Sequence, residues 1–471
     1  MKALMEKRDK KTKWGIFAFL LAVSLALRLY RLNMSFWMDE LITVTEFVSK
    51  PWLKIITEVP YPNNHILYTL LAKLSMTVFG EHEWSARLPA MIMGAITPPA
   101  AYLIFRKRFS EFVAAGAGLF LALNFWSVWF SQDARGYSAY ILFSLLSTYF
   151  FLEYLDKGGR RLALLYVLTA TVCVWFYLYG FFIIAGQGLW LLVMLVRKKT
   201  DAKKLGPVLL AALLGIALYL PGLSQIWHYS ISQTRMSKMH GLSLIFLKDF
   251  LGLCFGLDEI NLITLASIIA LIGLFTTLKK WPGFFVIYLS ASLGIVVFSG
   301  LEKLFIYPRF LSFFMPVFPI AFINLFDLPK IAMPPKSIKR FESITNRISK
   351  MLICLVIALI LIANLARYYN KGKEGFRDSA QYLAQNYSPD KVICYGIICK
   401  ELGYYYKAPM TETDEKFQLT PEFIKGKAII SRKVDWTQFN LEVARQYCLE
   451  EKVWSSSGYK ENILWLLKCP G

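Results

Sequence analysis

No glycine-rich loop of the kind that cradles nucleotide phosphates is apparent in this sequence, which sets aside the common nucleotide-binding folds. Internal repeats and low-complexity runs are also missing, so repeat architectures do not apply. Acids are scarce: 32 Asp and Glu stand against 53 Lys and Arg in 471 residues. Histidine is scarcer, with four. A formal net charge of +21 first suggests nucleic acid. The basic residues do not form a face interleaved with aromatics, however, and that partner is excluded. They cluster instead in short runs between apolar segments.

Those segments dominate the chain. Hydrophobic residues make up 56% of it, more than a soluble domain can bury. Eleven stretches approach the ~20 residues needed to cross a bilayer. They lie near 14–31, 85–105, 111–130, 136–155, 161–178, 180–196, 205–221, 260–278, 283–300, 310–327 and 350–368. The first ends in Leu27-Arg28-Leu29-Tyr30-Arg31 without a small-residue cleavage site, so it reads as a retained span. The expectation is an all-α polytopic membrane protein over 1–368, followed by a small α/β domain over 369–471.

Lys and Arg set the orientation. The N-terminus carries Lys2, Lys7, Arg8, Lys10, Lys11 and Lys13, and belongs on the cytoplasmic side. Alternate loops are then basic, including Arg106-Lys107-Arg108, Arg197-Lys198-Lys199 and the stretch from Lys330 to Lys350. The complementary loops, and the tail after the eleventh span, are placed outside. Cys394, Cys399, Cys448 and Cys469 lie in that tail. An oxidising compartment would pair them, Cys394 with Cys399 or Cys448 with Cys469. Buried free thiols are the alternative.

The first outer loop, 32–84, has two stretches with helix-like spacing, Leu41 to Val59 and His65 to Phe79. Both read as helices lying on the membrane surface, broken at Pro60-Tyr61-Pro62-Asn63-Asn64. Leu242 to Phe255 is a third candidate. In the tail, helices are expected over Glu374–Tyr387 and Thr437–Glu450. Strands are expected at 391–394, 428–430, 453–454 and 463–467.

Chemistry concentrates at the outer ends of the spans. Asp39 and Glu40 follow the first span. A carboxylate there suits a general base for an acceptor hydroxyl, though adjacent acids are common on solvated loops. Asp133 and Arg135 occupy the short turn Ser131-Gln132-Asp133-Ala134-Arg135-Gly136-Tyr137, where a helix cap and a snorkelling arginine are the plainer explanation. His65 opens a surface helix and suits a phosphate, a metal or a structural place. Arg87 and Arg309 open spans at the outer boundary, against the positive-inside trend. Each suits bidentate phosphate binding or a headgroup anchor. Separate stretches thus bring Asp39, His65, Arg87, Asp133, Arg135 and Arg309 to one membrane face. That combination can bind an anionic lipid phosphate and deprotonate a hydroxyl. A lipid-carrier transporter or flippase is the rival. It should keep ionisable residues near mid-bilayer, and the spans are nearly free of them.

At these residues the sequence resembles the polyprenyl-phosphate-sugar-dependent glycosyltransferases of the C-type membrane fold. The nearest likeness is glycosyltransferase family 39, with its protein O-mannosyltransferases and aminoarabinose transferases. The motifs are Asp39-Glu40, Asn63-Asn64-His65-Ile66-Leu67-Tyr68, Ala86-Arg87-Leu88-Pro89, Ser131 to Tyr137, and Arg309-Phe310-Leu311. The prolines that follow the family's histidine are missing here. The likeness is strong over 1–155, looser to 327, and reaches the tail only as a variable outer domain. It implies sugar transfer, with inversion, from a polyprenyl-phosphate carrier to a protein, glycan or lipid acceptor. Asp39 would be the base, and Glu40 and Asp133 would shape the site. His65, Arg87, Arg135, Tyr137 and Arg309 would bind substrate. A divalent cation such as Mg or Mn could share the phosphate's charge.

Overall fold

A computed structural model describes residues 2–61, 63–233, 243–301, 306–327, 338–396, 398–413, 419–432, 442–454 and 464–471. The chain is a mostly helical, multi-span membrane protein with a small mixed β-sheet at its C-terminal end. It divides into two units. Unit 1 comprises Met1–Tyr30, Pro51–Leu74 and Arg87–Leu365, and unit 2 comprises Arg31–Lys50, Ser75–Ala86 and Ala366–Gly471.

All eleven apolar segments fall on helix. Among the described residues, seven helices are long and apolar enough to span by themselves, or nine if each of two bent pairs is one span. The difference from eleven lies in Arg160–Phe176 and Gly180–Val196, helices of 17 residues each. The bent pairs have local causes. Glu111–Leu123 and Phe125–Ser131 meet at 60°. Asn124 stands between them in extended conformation, and its Oδ1 accepts from Ser127 N at 3.1 Å to start the second helix. Its Nδ2 donates to the carbonyls of Leu253 and Cys254 at 3.2 and 3.1 Å, which locks the bend. Pro308–Phe314 and Val317–Leu325 meet at 56°, with Met315-Pro316 at the break. Proline lacks the N–H that a continuous helix would need there.

Arg28, fully buried near the C-terminal end of the first span, ties that span to the bent pair. Its Nε donates to Ser131 Oγ and its Nη2 to Ser127 Oγ, both at 2.9 Å. Gln132 Nε2 adds bonds to the Arg28 and Tyr30 carbonyls at 2.9 and 2.7 Å. The 131–137 turn is therefore anchored at its base.

Helices form in these expected stretches, with one correction. His65 to Phe79 becomes Ile66–Phe79, and Leu242 to Phe255 becomes Leu244–Phe255. Leu41 to Val59 is not one helix. It splits into Met38–Ile42, a π-helical turn Thr43–Val48, and Trp52–Thr57. Pro51 accounts for the break, because it has no N–H and disfavours helix in the residue before it.

The tail carries strands β1 (Val392–Tyr395), β2 (Thr411–Thr413), β3 (Ala428–Arg432), β4 (Leu449–Trp454) and β5 (Leu464–Lys468), in sheet order β2-β1-β3-β5-β4. β1 runs parallel to β2 and β3, and β5 runs antiparallel to β3 and β4. The expected Thr437–Glu450 helix lies outside the described residues over 437–441. Its described part is Glu442–Tyr447, and Leu449 and Glu450 belong to β4 instead. The Lys330–Lys350 stretch lies outside the described residues over 330–337. Both cysteine pairs form, Cys394–Cys399 and Cys448–Cys469. The second packs in the apolar core beneath the sheet with Ile393, Ile429 and Leu467.

Candidate active site

Six of the eight candidate side chains belong to unit 1, and Asp39 and Glu40 to unit 2.

Unit 1 builds a cationic cluster around His65. The imidazole is buried, and its Nδ1 accepts from the Gly136 amide at 2.8 Å. Only glycine permits this approach. A Cβ at 136 would stand 3.0 Å from that nitrogen and 2.5 Å from the Phe176 carbonyl. With Nδ1 accepting, a neutral ring carries its hydrogen on Nε2. Arg135 Nη2 lies 3.2 Å from that same Nε2. An anionic oxygen bound beside the two groups would accept from both. Burial lowers the His65 pKa well below its ordinary value, and the charges of Arg135 and then Arg309 lower it further. These shifts place Arg135 and Arg309 in the electrostatic neighbourhood of His65 and keep its ring neutral at pH 7.

Aromatic rings wall this cluster. His65 meets Tyr137 at 5.2 Å and Tyr177 at 4.8 Å between ring centroids. Tyr179 stacks on Phe310 at 4.6 Å, and Arg309 lies over Tyr307 at 4.4 Å. Asp133 is fully buried, and its carbonyl accepts from the Arg135 amide at 2.6 Å. Arg87 is fully buried in the first turns of helix Glu83–Phe105. The sequence pass did not single out Tyr177 and Tyr179. Their signal is an aromatic pair within the three-residue break between Arg160–Phe176 and Gly180–Val196.

Unit 2 builds a tightly held acidic turn. Asp39 is the second residue of helix Met38–Ile42. Glu40 does not face solvent: its Oε2 accepts from the Trp37 amide at 3.2 Å, reaching back to the residue before the helix. It also pairs with Lys373 Nζ at 3.3 Å, with neither side chain exposed. Glu374 Oε2 accepts from the Met38 amide at 2.7 Å. Burial raises the Glu374 carboxyl to about 7. Asp39 and Glu401 add to the rise, while Arg432 and the Met38 amide oppose it. Lys373 and Glu374 line a polar cavity of about 310 Å³ together with Arg31, Lys371 and Arg377. The sequence reading missed Lys373, Glu374 and Arg432. The first two carried a signal, a Lys-Glu pair immediately after the last span.

Among the described residues, no three His, Cys, Asp or Glu side chains gather closely enough to hold a metal ion.

Residues 62–225 match a family model described as dolichyl-phosphate-mannose-protein mannosyltransferase. Over that stretch the chain is similar to lipid-phosphate-sugar-dependent membrane glycosyltransferases. No curated protein matches this chain. Its fold is similar to that of ArnT from Cupriavidus metallidurans in the apo state, with TM-score 0.56 and 15% identity over 97% of this chain and 98% of that one. The same enzyme bound to undecaprenyl phosphate gives 0.55 at 15% identity, over 96% and 98%. The archaeal oligosaccharyltransferase AglB from Archaeoglobus fulgidus, in complex with an inhibitory peptide and a dolichol-phosphate, gives 0.52 at 12% identity. That match covers 86% of this chain and 65% of that one.

Proposed function

We propose that this chain moves a sugar from a polyprenyl-phosphate carrier to an acceptor hydroxyl on the outer face, in one inverting step. The acceptor oxygen attacks the anomeric carbon as the bond from that carbon to the phosphate oxygen breaks. Asp39 takes the hydroxyl proton. Polyprenyl monophosphate leaves with one more negative charge than it carried as a diester.

The observation that carries the reading is the buried cationic cluster of unit 1. Arg135 and Arg309 impose a positive field on the buried His65, whose Nδ1 is held by the Gly136 amide. A phosphate oxygen bound there meets that field, and its charge grows as the bond to the sugar breaks. Stabilisation that strengthens toward the transition state is what accelerates a reaction. Arg87, Arg309 and Tyr137 complete the donor's phosphate side in this reading, and Asp133 shapes the turn that presents Arg135. Glu40 orients the Asp39 turn. The N-terminus is cytoplasmic and the tail is extracytoplasmic, as the basic loops require.

The test is transfer of radiolabelled sugar by purified protein in nanodiscs. A panel of polyprenyl-phosphate sugars serves as donors, with protein, glycan and lipid fractions as acceptors. Label should join an acceptor, with release of polyprenyl phosphate and inverted anomeric configuration. Donor that changes leaflet with its sugar still attached, and no transfer, would instead establish a lipid-carrier transporter.

A further inference from the structure

The turn that carries Asp39 is short. It is a five-residue helix, Met38–Ile42, that passes directly into a π-helical segment. A general base must nevertheless hold its carboxylate within hydrogen-bond reach of the proton it removes. A misplacement of about 1 Å can cost about a hundredfold in rate.

Residues from the far end of the chain, also in unit 2, add restraint. The last span's helix ends at Lys371, and Gly372 turns the chain with φ +71°, in the left-handed region that favours glycine. The next two residues then grip the Asp39 turn on both sides. Lys373 pairs with Glu40, the residue after Asp39, and Glu374 accepts from the amide of Met38, the residue before it. Three further contacts hold the approach to this turn. The Arg377 amide donates to Ser35 Oγ at 3.1 Å, the Phe36 amide donates to Tyr405 Oη at 2.9 Å, and Arg432 Nη1 reaches Met38 Sδ at 3.1 Å. Arg432 Nη2 lies 3.7 Å from Glu374 Oε1.

We propose that Lys373 and Glu374 are positioning residues for Asp39, a clamp through which the C-terminal domain sets the geometry of the base. The clamp fixes backbone rather than touching substrate. Lys373 neutralises Glu40 in a buried place where an unpaired carboxylate would be costly. Glu374 satisfies an amide at the first turn of a helix, where no intrahelical acceptor exists. The C-terminal domain is thereby part of the transferase rather than an appendage.

The inference rests on the proposed role of Asp39 as base, and the experiment separates the two. Wild type, Asp39→Asn, Glu374→Ala and Glu374→Gln are compared in nanodiscs, with the polyprenyl-phosphate sugar that wild type turns over fastest in the panel above. Hydrogen exchange is followed in peptides covering 36–42. Glu374→Ala should lower kcat about ten- to a hundredfold, leave the donor KM within about twofold, and speed exchange in that peptide. Glu374→Gln keeps an acceptor for the Met38 amide, and should stay within about threefold of wild-type kcat with exchange protected. The clamp is refuted if Glu374→Ala keeps wild-type kcat, or if Glu374→Gln falls as far as Glu374→Ala. Loss of kcat in Asp39→Asn beside an unaffected Glu374→Ala would leave the base standing and remove the clamp. Wild-type kcat in Asp39→Asn would remove both.

Discussion

Unit 1 and unit 2 hold their charged residues in different ways. In unit 1 Arg135 sits on a short turn, Arg87 and Arg309 lie near the starts of helical segments, and aromatic rings wall His65. Gly136 brings its amide to His65, Arg28 and Gln132 fasten the 131–137 turn, and Tyr177 packs on the imidazole. In unit 2 the acids are held by other charges. Lys373 meets Glu40, Arg432 lies near Glu374, and Arg377 pairs with Glu83. In the proposed mechanism the first arrangement receives the donor phosphate and the second holds the base.

Four perturbations should separate the two arrangements. The largest effect is expected from pH acting on unit 2. Glu374 is raised in the folded chain from its ordinary 4.5 to about 7, so the folded state binds the proton more tightly than the unfolded chain. Its contribution is full below about 4.5 and is lost as pH rises through about 7, on the order of 3 kcal/mol in total. Thermal unfolding followed between pH 4 and 8 should lose stability with rising pH in wild type. Glu374→Gln should flatten that dependence.

A comparable loss is expected when Cys448 and Cys469 are both changed to serine. Their pairing closes a separation of 21 residues within the sheet's core. Chain-entropy arguments give about 3 kcal/mol for such a loop. Limited proteolysis should cut the tail of this variant at lower temperature while leaving the fragments of unit 1 unchanged.

Unit 1 should respond through affinity instead. Arg135→Ala and Arg309→Ala each remove a candidate charge-assisted contact to phosphate, worth about 1.5–3 kcal/mol. Donor Kd by scintillation proximity should rise about ten- to a hundredfold, with thermal stability near wild type. The smallest of the four effects is expected from Gly136→Ala. The new methyl group meets the Phe176 carbonyl and the His65 ring, and about 1–2 kcal/mol of stability should be lost as they move. Donor affinity should fall only a fewfold, which a thermal scan run with a donor titration would resolve.

Much of this was readable in the sequence. Length, composition and the basic alternation of loops yield the helical membrane class, because a bilayer imposes a length and a charge rule on every span. The motifs at His65, Arg87, Asp133, Arg135 and Arg309 stand out because charge at the end of an apolar span is expensive and conspicuous. The bends at Asn124 and Pro316 were missed, since hydropathy does not see a cap inside an apolar run. Pairings distant in sequence were also hidden. Nothing local to Lys373 and Glu374 says that they meet residues 38 and 40, and nothing local to Tyr177 says that it packs on His65. Residues 31–50 and 75–86 group with the tail for the same reason, through contacts that only the fold creates.

The most direct test of the account is the Asp39→Asn variant, with donor affinity and turnover measured in one nanodisc preparation. The substitution keeps size and most hydrogen bonding and removes the base. Turnover should fall about 10² to 10⁴-fold while the donor Kd stays within about twofold of wild type. A variant that folds, binds donor and turns over at the wild-type rate would contradict the assignment of Asp39 and the mechanism built on it.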